Sequence, residues 1–301
     1  LIGIIRENKP QILHAQLFFA DFFGRIASIF FPKLICISTI QNALYSTNFY
    51  SKKRKIAESL TGKFFCDYFI AVSEFTRDSI IKDLGFNKAK IGLIYNYIDV
   101  NDFSSLNNRL TRKDIGLNDN DKVFIIVSRL VSWKGHKIAM EALSLIKENF
   151  PEAKLLIIGS GPEEESLKSL ALSLKINNLV KFLGQREDVK DLLALSDVFL
   201  FPSLCEGFSL AVLEGMAMKK LCIVSDIDQL KEAVKNNVTG LLFKAGDSDS
   251  LKVVLSKYLK GDLQVSKITD EAFKMTLTKF DKGPNAKLLE DLYIKLVKKE
   301  V

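Results

Sequence analysis

Short apolar runs, each closed by a polar turn, recur along this chain at the spacing of parallel strands with helices between them. In the first third, runs near 11–16, 34–40, 68–72 and 91–95 read as strands separated by helical patterns. The opening LIGIIRENKPQILHAQ reads as a helix stopped at Lys9-Pro10, followed by a strand that carries His14. The most apolar stretch, LFFADFFGRIASIFFPKLICI (17–37), is interrupted by Asp21, Arg25, Pro32 and Lys33. That breaks a membrane span, and a helix over 17–30 with a strand over 33–39 explains it better. The polar stretch NNRLTRKDIGLNDND (107–121) places a domain boundary near 106. Beyond it strand and helix alternate regularly to Phe243, and a helical tail runs from Ser248 to the end. The class is α/β, with domains expected over 1–106 and 107–283 and a last helix, 284–301, packing back on the first.

One segment carries more chemistry than the rest. DVFLFPS (197–203) is an apolar run closed by a turn, and EGFSLAVLE follows it. Strand, loop and then a helix reaching about Lys219 are expected. A helix starting at the carboxyl end of a buried strand offers free backbone N–H groups and the positive end of its dipole, which suit a phosphate. Glu206 precedes that start and is better placed to accept hydrogen bonds from sugar hydroxyls. Glu214 would lie about 12 Å further on if the stretch were helical throughout, roughly the span from a hexose across a diphosphate to a ribose. Two glutamates at this spacing also occur on ordinary solvated helix faces.

A second run, VFIIVSRLVSWKG (123–135), ends in a loop from which Arg129 and Lys134 emerge at the same expected sheet edge. A guanidinium and an ammonium side by side are unfavourable unless an anion sits between them, and a diphosphate fits. The alternative is a pair of surface cations on a loop.

VSRLVSWKG, LLIIGSGPEEESL, VKFLGQREDV and SDVFLFPSLCEGFSLAVLEGMA occur in this order. Together they resemble the donor-binding domain of the family 4 glycosyltransferases, retaining enzymes of the GT-B fold that use a nucleotide-activated sugar. The resemblance is dense over 123–245 and looser elsewhere. It implies two Rossmann-like domains facing a cleft, an acceptor domain over 1–106 and a donor domain over 107–283. It also implies that Arg129 and Lys134 grip the diphosphate, Glu206 holds hydroxyls of the transferred sugar and Glu214 holds the ribose. Arg129, Lys134 and Glu206 would be the catalytic set. Backbone amides near Leu210 and Ala211 would complete the phosphate cradle, Arg186 with Asp188 would lie beside the base, and Gly159 and Gly161 would allow close approach to base or ribose.

The chain departs from the family pattern at several points. Ser209 stands where Gly is usual, and Ser suits a helix start. Tyr97 likewise replaces Gly in IYNYIDVNDF, which resembles the crossing into the second domain. His14 invites a sugar or acceptor contact, but its partner position holds Gln16, and Gln41 stands where relatives carry a donor-contacting histidine. Glutamine can hydrogen-bond but cannot carry a proton or charge near neutral pH. The family's opening strand and Gly-rich loop have no counterpart before Leu1, so the N-terminal domain is expected to be truncated.

Other chemistries are disfavoured. In GSGPEEE (159–165) the third glycine position of a dinucleotide fingerprint is Glu164, and consecutive carboxylates would repel a pyrophosphate. Only His14 and His136 are present, and His136 at a helix start reads as structural. Neither a metal site nor any cofactor is expected. Cys36, Cys66, Cys205 and Cys222 form no CxxC pair and read as reduced thiols of a cytoplasmic protein. The net charge of +7 is spread through helices without interleaved aromatics, which argues against nucleic acid. An anionic donor accounts for it, as does an anionic membrane surface met by the N-terminal domain, where SKKRK (51–55) follows the apolar stretch.

The expected activity is transfer of a sugar from a nucleotide diphosphate, UDP by preference, to a glycan or lipid-linked acceptor with retention, in cell-surface polysaccharide or lipopolysaccharide synthesis. The alternatives are a nucleotide-sugar epimerase of the same architecture and a non-catalytic nucleotide-sugar binding remnant.

Overall fold

The structure, a computed structural model, describes residues 1–42, 51–104 and 110–298. By contacts the chain divides into two units. One comprises Leu1–Tyr97, Glu206–Phe208 and Lys282–Val301; the other comprises Ile98–Cys205 and Ser209–Asp281. The boundary expected near 106 falls within 105–109, outside the described residues.

The first unit runs α1 (Ile2–Asn8), β1 (Ile12–Gln16), α2 (Phe18–Ser28), β2 (Ile35–Ile40), α3 (Lys52–Phe65), β3 (Tyr68–Ala71), α4 (Glu74–Leu84) and β4 (Ile91–Leu93). Its strands pair in parallel in the order β1-β2-β3-β4, which requires the helical crossovers the periodicity predicts. Local chemistry sets the helix ends. Lys9, in the left-handed region at φ 46°, closes α1 just before Pro10. Ser51 caps α3 by accepting from Arg54 N at 3.2 Å, and Ser73 caps α4 by accepting from Thr76 N at 3.0 Å. The helix expected over 17–30 ends at Ser28; Phe31 N then bonds Ser28 O at 2.9 Å in a turn that leads into Pro32.

Strand alternation divides the first core between two faces. Phe69 and Ala71 pack with Ile80, Leu84 and Phe86. Ile70 faces the other way with Ile37 and Ile94, beneath Leu289, Leu292 and Leu296 of the C-terminal helix Lys282–Lys298.

The second unit contains α5 (Val100–Ser104), β5 (Lys122–Val127), α6 (His136–Ser144), β6 (Ala153–Ile158), α7 (Glu164–Ser173), β7 (Val180–Gly184), α8 (Val189–Leu195) and β8 (Val198–Phe201). It continues with α9 (Leu210–Ala217), β9 (Leu221–Ser225), α10 (Asp228–Lys231), β10 (Leu241–Phe243), α11 (Ser248–Leu259) and α12 (Val265–Lys279). The C-terminal helix of the first unit is then α13. Six parallel strands are ordered β10-β9-β8-β5-β6-β7. Their runs KVFIIV, AKLLII, VFLF and LCIVS are nearly continuously apolar because both sheet faces are covered: Phe124 and Ile126 are as buried as Ile125 between them. The chain leaves β5 toward β7, then returns to β5's other side as β8. That reversal makes the β5–β8 boundary a topological switch point, where α/β sheets receive ligands at the carboxyl ends of their strands. Among the described residues, no helix is long and apolar enough to cross a membrane.

Candidate functional site

The switch point of the second unit is built by three loops locked backbone to backbone. After β5 the chain passes Ser128–Gly135; after β6, Gly159–Gly161; after β8, Pro202–Cys205. Gly159, at φ +131°, has no room for a side chain, since a Cβ would lie 2.0 Å from Ser128 O. At Gly161 a Cβ would lie 2.3 Å from Leu130 O. Both glycines thus let the β5 and β6 loops touch, joined by Leu130 N to Ser160 O at 3.0 Å. Gly135, at φ +71°, does the same toward β8, where a Cβ would meet Pro202 O at 1.9 Å. Trp133 O accepts from Leu204 N at 2.7 Å and from Ser203 Oγ at 3.2 Å. A loop held on both sides presents its side chains without further ordering.

Arg129 and Lys134 project from this locked loop. Arg129 is exposed and makes no ion pair among the described residues. Lys134 is half-buried, its ammonium 5.1 Å from the centre of the Phe201 ring at the end of β8. Beneath them His136 is buried, and its Nε2 lies 3.0 Å from Ser128 Oγ. Burial, and then the Lys134 charge, push its pKa down to about 4, so the ring is neutral at pH 7. A neutral imidazole there supports the loop without adding a third cation. His136 is the structural residue its place at a helix start suggested, whereas Phe201 was not singled out, since an aromatic ending a buried strand gives no sequence signal of what lies above it.

Across the switch point α9 begins at Leu210 with Ser209 as its N-cap. Ser209 has the extended backbone of a cap (φ −83°, ψ 113°), yet its side chain makes no capping hydrogen bond. The first N–H groups of α9 are therefore not taken by the residue expected to take them, and no acidic side chain lies in the first turn. Leu210 is exposed and Ala211 half-buried. Glu214 follows in the next turn, half-buried, with burial raising its carboxyl above the usual range. Gly215 beside it packs on Phe199, where a Cβ would lie 2.8 Å from the ring. The condition on which the 12 Å estimate rests, a continuous helix, is not met, because α9 starts only at Leu210 and residues 206–209 are not helical.

Arg186 and Asp188 follow β7, two strands from β5 and so about 10 Å along the sheet. They engage each other in a two-point ion pair, Nε to Oδ1 at 2.7 Å and Nη2 to Oδ2 at 2.5 Å. The pairing lowers the Asp188 pKa and raises that of Arg186.

Glu206 groups with the first unit and is buried, together with Gly207 and Phe208. Gly207 lies so close to Gln41 that a Cβ would come 2.1 Å from Gln41 O. Gln41 accepts from Asn96 Nδ2 at 2.9 Å and donates a long hydrogen bond to Gln16 Oε1 at 3.5 Å. Gln41, at the position where relatives carry a histidine, thus binds Gln16, at the partner position of His14. His14 is held at both ring nitrogens, Nδ1 by Tyr293 Oη at 2.5 Å and Nε2 by Thr39 Oγ1 at 2.6 Å. Burial lowers its pKa, and neither nitrogen is left open toward a sugar in this arrangement. The four cysteines are free and buried. Among the described residues no cluster of His, Cys, Asp and Glu could hold a metal ion.

Two parallel α/β units, the second with its anion-suited loops at a switch point, match solved glycosyltransferases in fold. HepE of Anabaena in complex with UDP-glucose aligns over 97% of this chain and 81% of its own, with a TM-score of 0.86 at 24% identity. The architecture is GT-B. In sequence, the model of "Glycosyl transferases group 1" matches residues 107–275 and that of "Glycosyltransferase Family 4" matches 1–102. The chain belongs to glycosyltransferase family 4. Among its curated relatives is the UDP-Gal:α-D-GlcNAc-diphosphoundecaprenol α-1,3-galactosyltransferase of Escherichia coli, 28% identical over 99% of this chain and 78% of that protein. The N-acetyl-α-D-glucosaminyl L-malate synthase of Bacillus anthracis is 31% identical over 57% of this chain and 45% of its own length.

Proposed function

We propose that this chain transfers a hexose from a UDP-sugar to a lipid-linked or polysaccharide acceptor, retaining the anomeric configuration and using no metal ion or cofactor. The observation that carries the reading is the switch point of the second unit. There Arg129 and Lys134 leave the loop after β5, and α9, its start uncapped by Ser209, follows the neighbouring strand β8, so both elements stand at the carboxyl ends of adjacent strands. Negative charge grows on the diphosphate as the sugar departs, and those three groups stabilise it where it develops. Glu214, on the second turn of α9, binds the ribose, and Arg186 with Asp188 flanks the base. Glu206 holds hydroxyls of the transferred sugar, Gly161 keeps the β6 loop close to the nucleotide, and His14 and Gln41 shape the acceptor side. The departing phosphate accepts the acceptor's proton.

UDP is chosen because the Escherichia coli relative is named for UDP-Gal and HepE was solved with UDP-glucose. That relative's diphosphoundecaprenol acceptor supports a lipid-linked acceptor here, met by the first unit at the inner face of the plasma membrane in a cytoplasmic enzyme.

Calorimetric titration with UDP tests the reading. Arg129→Ala and Lys134→Ala should each weaken binding by about tenfold or more, as loss of a charge-assisted contact implies. Unchanged affinity in both variants would overturn the assignment. Labelled UDP-sugars, followed for nucleotide release with and without GlcNAc-diphosphoundecaprenol, separate transfer from epimerisation and from binding alone. The anomer of the product reports retention.

A further inference from the structure

In the first unit α2 and α3 lie against each other, and each has a single acidic residue: Asp21 in α2 and Glu58 in α3. Both acids are buried and turned inward on Arg25, itself fully buried. The Arg25 Nη1 atom lies 2.8 Å from Glu58 Oε1, and Nη2 lies 4.0 Å from Asp21 Oδ1. Arg25 Nε also donates to Ser38 Oγ at 3.0 Å. All the negative charge of the two helices is therefore consumed inside the unit.

What remains outside is apolar and cationic. On α3, Lys52, Lys53, Ile56, Leu60, Lys63 and Phe64 are all exposed. At 100° per residue they fall within an arc of about 120°, with Glu58 opposite its middle. On α2, Phe19 and Phe23 stand one turn apart, and Phe30 follows the helix; each is more than half exposed. Between the helices a groove of 360 Å³ is lined by Phe18, Phe19, Phe22 and Phe23, with Lys53 and Arg54 at its rim. The Arg54 guanidinium lies 4.4 Å above the Phe18 ring. Five large apolar side chains exposed on these two helices, Phe19, Phe23, Ile56, Leu60 and Phe64, exceed the scattered singles that a solvated surface carries.

We propose that the outward face of α2 and α3 docks on an anionic lipid bilayer, with Phe19, Phe23, Leu60 and Phe64 entering the headgroup boundary and Lys52, Lys53 and Lys63 meeting lipid phosphates. This deepens the peripheral-membrane part of the function proposed above by naming the contacting face. The bilayer is chosen over a second copy on charge. A two-fold pairing of this face would set lysines against their own copies with no acid to offset them. Basic positions interleaved with aromatic and aliphatic ones suit lipid instead.

Flotation of the full chain with vesicles tests this without donor or acceptor. Vesicles of phosphatidylcholine containing about one third phosphatidylglycerol should be bound about tenfold or more tighter than phosphatidylcholine alone, with high salt removing the difference. Lys52→Glu with Lys53→Glu should abolish the preference for anionic vesicles. Phe19→Ser with Phe64→Ser should weaken binding to both kinds. Circular dichroism should show each variant folded, and UDP titration of the same samples should be unaltered. Absence of binding to anionic vesicles, or equal binding by folded variants, would overturn the proposal. So would a dimer in sedimentation equilibrium that Phe19→Ser with Phe64→Ser dissolves. A chain that binds vesicles but not UDP would leave this inference standing while the donor reading fell.

Discussion

Both units are parallel α/β sheets, yet they handle charge in opposite ways. The first gathers Asp21, Arg25 and Glu58 inside, where one cation answers two acids. The second leaves Arg129 without an ionic partner among the described residues and lifts Lys134 over Phe201, with no acid in the first turn of α9. An internally closed charge cluster fixes how helices pack. An exposed guanidinium at a strand edge, such as Arg129, has an anion still to bind. The contrast extends to protons: burial pushes Asp21 up to about 7, whereas burial holds His136 down at about 4.

The largest expected effect removes the answering cation. Arg25→Met leaves two acids buried and should destabilise the first unit by about 3–5 kcal/mol, read by denaturant unfolding. UDP affinity at the second unit should be unchanged in buffer where the variant stays folded. Replacing all three residues with apolar ones of similar volume should recover most of that loss. If Arg25→Met is neutral, the cluster is not the closed device described here.

Acidification should act next, and with opposite signs in the two units. The folded pKa of His136 lies below the unfolded value, so between about 6.5 and 4 the unfolded chain binds more protons. Stability is then full above pH 6.5 and falls as pH drops, by up to about 3 kcal/mol. Asp21 is raised, so the folded state holds its proton longer and that group's contribution is lost as pH rises from about 4 toward 7. Hydrogen exchange read separately for the two sheets should show the second weakening faster on acidification. His136→Gln should flatten that slope, and an unaltered slope would remove His136 as its cause.

Gly159→Ala tests whether the locked loops matter. It forces a Cβ toward Ser128 O at φ +131° and should cost about 1–3 kcal/mol in the second unit while weakening UDP, with the first unit's exchange unchanged. The smallest and most discriminating effects concern the glutamates. Glu214→Gln should weaken UDP and a UDP-sugar alike, by about tenfold or less. Glu206→Gln should weaken only the UDP-sugar, and equal behaviour of the two variants would remove the proposed polarity.

Much of this was legible in the sequence, for reasons that also mark where legibility stops. Runs such as KVFIIV and LCIVS announce doubly covered parallel strands, because only burial on both faces tolerates unbroken apolar sequence. Lys9-Pro10 announces the end of α1 through proline's missing donor. The Asp21 and Arg25 positions read only as interruptions of an apolar stretch, since their partner Glu58 lies 33 residues away from Arg25 and no local period connects them. Gly159 and Gly161 suggested close approach to a ligand; their immediate neighbour is the backbone of the adjacent loop. Ser209 reads as a cap from residue type, but whether its hydroxyl turns to the helix is set by the loop that delivers it.

The position of α13 has a consequence for how the molecule is made. Leu289, Leu292 and Leu296 cover Ile37, Ile70 and Ile94, residues some two hundred positions earlier in the chain. During synthesis the first sheet emerges early but keeps one face open until α13 leaves the ribosome. The intervening second unit, bounded by the Ile98 N to Phe280 O bond at 3.0 Å, can close in the meantime. The unit that starts before the other therefore closes after it, with one apolar face waiting in between.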